Sequence, residues 1–242
     1  MSDVLRVGLY GLVTALATGL GALPFVRAKG ASPRSVALAN AVASGLMLGA
    51  SFELVVEGTS LGGVQTIAGA ALGIVFILVT ERALARFPLR LGALKGADAR
   101  RAILVVLVMT AHSFSEGVAV GVAFGGGESL AIPITLAIAV HNVPEGLAIS
   151  AALKSRGASL LACAGYSVFS SLPQPLMAMP AFAFVHAFAP VLPYGLGFAA
   201  GAMVFMVLLE LLPEAYEDAR RDGVGLLVTL SMFAMILAQR YL

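Results

Sequence analysis

The sequence predicts an all-α integral membrane protein of about eight transmembrane helices, built on inverted repeats, with both termini outside the cytosol. Three observations carry that expectation. Hydrophobic residues make up 60% of the 242, mean hydropathy is +0.97 and only 12% are charged. A soluble domain of this size must keep much of its surface wetted and cannot hide so much apolar area, whereas a bilayer removes that constraint. Basic residues fall into alternate connections, and two apolar segments repeat one motif.

Crossing about 30 Å of hydrocarbon takes roughly 20 apolar residues in a helix. Eight such runs can be read, at about 4–26, 35–57, 63–81, 102–124, 131–152, 160–185, 190–212 and 224–241, parted by Gly, Pro or charge. The first run follows Arg6 in the manner of a signal peptide. It is too long for a typical signal core and lacks a clear cleavage site, so it reads as a span. The whole chain, 1–242, reads as a single transmembrane domain with a basic cytosolic loop at about 82–101.

Arg27, Lys29 and Arg34 lie in the first loop. Arg82, Arg86, Arg90, Lys95, Arg100 and Arg101 lie in the third, Lys154 and Arg156 in the fifth, and Arg220 and Arg221 in the seventh. These are thirteen of the fifteen basic residues, and the second, fourth and sixth loops have none. The positive-inside rule places the odd loops in the cytosol and both termini outside, which requires an even number of spans. The net charge of +2 says little by itself beside the placement of the charges, and no nucleic-acid partner is expected. The single Cys163 cannot form an internal disulfide and reads as a small core residue, so any metal site must use nitrogen, oxygen or thioether donors.

The fourth span contains His112-Ser-Phe-Ser-Glu116-Gly-Val-Ala, and the fifth contains His141-Asn-Val-Pro-Glu145-Gly-Leu-Ala. Consecutive spans run in opposite directions, so the copies are inverted. A fainter match links Ala43-Ser-Gly-Leu-Met47 in the second span with Ala199-Ala-Gly-Ala-Met203 in the seventh, with Glu53 and Glu210 following. Inverted repeats around a midplane site are a recurring transporter design.

His and Glu four residues apart share one helix face. Two unpaired carboxylates near the bilayer centre would cost roughly 5–7 kcal/mol. No basic residue lies in the middle of these spans to offset them. Two carboxylates and two neutral imidazoles suit a divalent cation, the first pair neutralising its charge and the second supplying nitrogen. The competing reading is a polar clasp between helices. It would serve for one pair; two matched pairs in adjacent spans point to a metal. Pro144 and the Pro173-Gln174-Pro175 run predict broken helices and exposed polar backbone at a similar depth. His186 has no nearby acid in sequence and reads as a surface residue. Glu53 and Glu57 toward the outside, and Glu210, Glu214, Glu217 and Asp218 toward the inside, read as helix-end acids that attract cations or simply face water.

HSFSEG and HNVPEG in consecutive spans resemble the ZIP (Zrt/Irt-like) family of metal transporters, bacterial type, and the likeness covers most of the chain. The resemblance implies movement of Zn²⁺, with Fe²⁺, Mn²⁺ or Cd²⁺ as further substrates, toward the cytosol across a bacterial plasma (inner) membrane. It implies no enzymatic activity and no cofactor, the metal being the transported substrate. It leaves room for a homodimer in the lipid bilayer. Carried over by position, His112, Glu116, His141 and Glu145 are the ligands, Asn142 stands beside them, and Met47 offers a thioether. Where dinuclear members place Asn and an acid, this chain has Ser113 and Gln174, so a tight second site is not expected. Ser115 replaces a frequent Pro, and the third loop lacks the His-rich stretch of many members. A divalent-cation channel would use the same ligands. An intramembrane metal-dependent hydrolase would be expected to show His-Glu-x-x-His or a spare catalytic base, and neither is present.

Overall fold

The computed structural model describes residues 2–26, 32–86, 97–154 and 157–241, and these contain helices and turns with no strand. That is the outcome dictated by a hydrocarbon solvent, where a helix satisfies its own backbone. The third loop lies largely outside the described residues.

The helices are α1 (Asp3–Gly19), α2 (Pro33–Arg86), α3 (Ala97–Gly126), α4 (Glu128–Lys154), α5 (Leu160–Ser170), α6 (Pro173–Ala187), α7 (Leu192–Met206), α8 (Leu212–Asp218) and α9 (Arg221–Tyr241). A 3₁₀ turn, Leu20–Val26, extends α1, and a π-helical turn, Val207–Leu211, joins α7 to α8. Six described segments are long and apolar enough to cross a membrane: Asp3–Val26, Pro33–Ala83, Glu128–Lys154, Leu160–Ala187, Ala189–Asp218 and Arg221–Tyr241. The sequence led to an expectation of eight. The second and third expected spans share the run Pro33–Ala83, and the fourth lies in α3, which is not among the six.

At about 1.5 Å per residue, the 54 residues of α2 would reach about 80 Å if straight. It is interrupted at Gly62, whose backbone is non-helical (φ 178°, ψ 99°), and this divides it into legs 33–61 and 63–86. Proline acts unevenly. Pro173 opens α6 after the Ser171-Leu172 turn, as its missing N–H predicts. Pro133 and Pro144, by contrast, lie inside an uninterrupted α4, so the break expected at Pro144 does not occur.

Close contacts fix the relative directions of neighbours. Along α1 and α4, Thr14 meets Asn142, Thr18 meets Gly146 and Gly21 meets Leu147, so the two run parallel. Along α3 and α6, Gly117 faces Gln174, Gly121 faces Ala178 and Gly125 faces Val185, again parallel. The second leg of α2 runs with α7 (Gly69 on Tyr194, Gly73 on Phe198), and the first leg runs with α9 (Gly45 on Val228, Gly49 on Met232). α1 opposes α6 (Gly8 on Met179, Gly11 on Pro175), and α3 opposes α7 (Gly126 on Leu192, Val122 on Gly195). The first leg of α2 opposes the α7–α8 unit (Asn40 on Glu214, Gly58 on Leu196). One apolar core draws residues from Val7 to Met235, while Leu161, Val64, Ile67, Phe233 and Leu226 face outward. That outward apolar belt is what lipid contact requires.

Candidate metal centre

α3 presents His112 and Glu116 one turn apart, and α4 presents His141 and Glu145 in the same way. The two helices pack together, and all four side chains converge. Exposure is 0% for His112, Glu116 and His141, and 2% for Glu145. One ligating atom from each lies within 4.8 Å of the others.

Glu116 is the hub. Its Oε1 stands 2.6 Å from His141 Nε2 and 3.3 Å from His112 Nε2. The other oxygen, Oε2, accepts a bond of 2.5 Å from Gln174 Nε2. His112 Nε2 is also 3.3 Å from Glu145 Oε1. Neither His112 Nε2 nor Glu145 Oε1 makes a hydrogen bond, although both are buried. Buried polar atoms without partners are rare because desolvation then goes uncompensated. A cation between these two atoms would serve both. Tetrahedral ligands about 2.0–2.1 Å from zinc stand about 3.3–3.4 Å apart, which matches both 3.3 Å separations. The 2.6 Å pair is at hydrogen-bond length and would open slightly around an ion.

Among the described residues the side chains within ion-pairing distance of the two carboxylates are the imidazoles, and no Lys or Arg joins them. Gln174 also accepts from Asn142 Nδ2 at 3.1 Å through its Oε1, and the same Nδ2 donates to the Thr14 carbonyl at 2.8 Å. The chain Thr14–Asn142–Gln174–Glu116 thus ties α1, α4, α6 and α3 to one carboxylate. Gly117, one residue past Glu116, lets the α6 backbone approach. A Cβ there would stand 2.8 Å from the Gln174 Cα. Ser113 and Met47 are buried, Met47 within the main apolar core. The structure therefore joins His112, Glu116, His141, Glu145, Asn142 and Gln174 directly, and gives Ser113 and Met47 no bond to them. His186 is exposed and stacks on Phe182, as expected of a surface residue.

Sequence reasoning missed three residues. Thr14 contributes only a backbone carbonyl, which no motif reports. Glu81 lies with Glu210 in carboxyl-to-carboxyl hydrogen-bond reach, and Glu210 also lies in electrostatic reach of Glu214 and His112. Asn40, 1% exposed, donates to Glu214 Oε2 at 3.1 Å. Glu210 sits in the π-helical turn, a distortion often found at functional positions. Glu217 and Asp218 are exposed on α8, and Glu53 and Glu57 are partly exposed on α2.

Residues 93–238, more than half of the chain, match the family described as ZIP zinc transporter. A putative zinc transporter of Arabidopsis thaliana is 44% identical over 237 residues, covering 96% of this chain and 38% of the plant protein. The zinc transporter GufA of Myxococcus xanthus is 32% identical over 244 residues, covering 90% of this chain and 93% of the relative. The human zinc transporter ZIP11 is 41% identical over 128 residues, half of this chain and 37% of its own length. The chain thus spans well under half of the plant and human relatives and nearly all of the bacterial one.

Proposed function

We propose that this chain, which belongs to the ZIP zinc transporter family, carries divalent metal ions, zinc foremost, across a membrane through the buried cluster of His112, Glu116, His141 and Glu145. The cluster carries the proposal: four ligating atoms within 4.8 Å, two ionisable acids, two imidazoles and no competing cation among the described residues. The metal is cargo. Glu116 and Glu145 supply its counter-charge, the imidazoles supply nitrogen, and Gln174 holds Glu116 in orientation through Oε2 while leaving Oε1 toward the ion. Mixed N/O ligation suits zinc and also admits Fe²⁺, Mn²⁺ and Cd²⁺.

The helix directions support eight crossings. α1, the second leg of α2, α4 and α7 point one way; the first leg of α2, α3, the α5–α6 pair and α9 point the other. Strict alternation brings both chain ends to one side, and the basic-residue pattern assigns that side to the exterior. Inversion also supports the paired repeats, since Met47 and Met203 are both fully buried on oppositely directed segments. Glu81, Glu210 and Glu214 with Asn40 lie toward the basic-loop side and supply carboxylates along a path to the cytosol. The near full-length likeness to a bacterial relative favours a bacterial inner membrane.

A divalent-cation channel would use the same ligands. Inverted repeats and a site closed to solvent on every side favour a carrier that alternates access. The discriminating experiment is uptake by proteoliposomes loaded with a fluorescent chelator, with Zn²⁺, Fe²⁺, Mn²⁺ and Cd²⁺ in turn, with and without a pH gradient. A carrier saturates with zinc and shows counter-transport. Uptake that stays linear in concentration, with no counter-transport, means a pore.

A further inference from the structure

A cavity opens on the lipid-facing side, between the first leg of α2 and α9. It has a volume of about 440 Å³ and is lined by Phe52, Glu53, Val56, Phe233, Ile236, Leu237, Gln239 and Arg240. Its depth follows from packing. Gly49 faces Met232 and Met235, so Glu53, one turn on, comes level with the last turn of α9, where Arg240 and Tyr241 end the helix. Helix ends bearing Arg and Tyr mark headgroup depth.

Two features of the lining distinguish it from an ordinary gap between helices. The walls are apolar and outward facing, with Phe52 52%, Phe233 61% and Leu237 59% exposed. The floor is polar and of both signs, with Glu53 and Arg240 in one cavity. Gln239 is only 9% exposed and lines the same space, and its Nε2 is buried without a hydrogen-bond partner. A buried amide donor without a partner, on a residue that lines a cavity, calls for an acceptor.

We infer that this groove binds one phospholipid with an aminated zwitterionic headgroup, of the phosphatidylethanolamine type. The phosphate oxygens accept from Gln239 Nε2 and the Arg240 guanidinium, which suits bidentate phosphate contacts. The primary ammonium donates to the Glu53 carboxylate. The first methylenes of an acyl chain lie along Phe52, Val56, Phe233 and Leu237. The acid makes the assignment specific: a purely anionic headgroup would meet Glu53 with like charge, and a choline headgroup has no N–H to donate to it. This site is separate from the metal cluster, and its test does not depend on transport.

Thermal unfolding of the purified full chain in detergent tests the inference, with phosphatidylethanolamine, phosphatidylglycerol and phosphatidylcholine of matched acyl chains, or inorganic phosphate, added in turn. Near one-hundredfold excess over the dissociation constant, phosphatidylethanolamine should raise Tm by about 5 °C or more. Phosphatidylglycerol and phosphatidylcholine should give less than half that shift, and phosphate none. Glu53→Gln and Arg240→Gln should each abolish the preference for phosphatidylethanolamine. Equal shifts from phosphatidylglycerol and phosphatidylethanolamine would overturn the assignment, as would a shift reproduced by phosphate. So would a concentration-dependent dimer, lost in Arg240→Gln, with no response to lipid. Should either variant destabilise the lipid-free chain, the ranking of lipids on the native chain decides alone.

Discussion

At the scale of single residues, the pairing of the four His and Glu side chains was legible because helical spacing is a short-range signal. His112/Glu116 and His141/Glu145 announce themselves at four-residue intervals, and the structure brings both pairs to one point. The bond from Gln174 to Glu116 spans 58 positions, and nothing local encodes it; the Gln174 side chain entered the sequence reading as a site residue only through family likeness. Glu81 escaped because it adjoins Arg82 at the end of an apolar run, where an acid ordinarily faces water. Two predictions belong here. In Glu145→Gln, zinc should no longer raise the melting temperature, while the metal-free chain should be as stable as the native one or slightly more so, since a buried acid has become neutral. Removing one counter-charge from a poorly solvated ion is worth several kcal/mol, or orders of magnitude in affinity at about 1.4 kcal/mol per tenfold. Gln174→Glu should place a carboxylate against Glu116 Oε2. The metal-free variant should therefore melt lower than the native chain, and equilibrium dialysis should show two tightly bound zinc ions per chain instead of one. A native chain that already holds two tightly would contradict this.

At the scale of elements, hydropathy located the apolar runs, but it could not say how helices continue through Gly and Pro. Gly62 interrupts α2 with an extended backbone, whereas Pro144 leaves α4 whole. A missing N–H ends a helix only where the freed carbonyl finds a better partner elsewhere, and that is decided by neighbours. Neighbours also explain Gly117. Sequence marks it merely as part of a repeated Glu-Gly pair, yet its bare Cα is what allows α6 to seat Gln174 against Glu116. Gly117→Ala should push the α6 backbone away, since the new Cβ would stand 2.6 Å from the Gln174 carbonyl oxygen. A cost of about 1–3 kcal/mol is expected for such overpacking, read as a lowered melting temperature. Zinc affinity should fall at least tenfold even though no ligand has changed. Unchanged affinity with lowered stability would make Gly117 a packing residue only.

At the scale of the whole molecule, the class was fixed by composition, because no soluble core accommodates so much apolar surface. Spatial neighbours were not legible: that α1 lies on α4 and α6, and that the first leg of α2 pairs with α9, depends on contacts between distant small residues. The orientation rests on charge and on alternating helix direction. In a Cys163→Ala background, Ser60→Cys and Ala187→Cys should react with an impermeant thiol reagent from the outside, and Asp218→Cys only from the cytosol. The reverse pattern would invert the assigned topology. The claim that the His/Glu cluster is the transport path itself is tested most directly by zinc uptake into proteoliposomes carrying the native chain, Glu116→Gln or Glu145→Gln at equal protein content, with circular dichroism confirming that each variant is folded. The account predicts saturable uptake for the native chain and a loss of at least tenfold in each folded variant. Native uptake rates in both would mean that the cluster only clasps α3 to α4 and that metal crosses elsewhere.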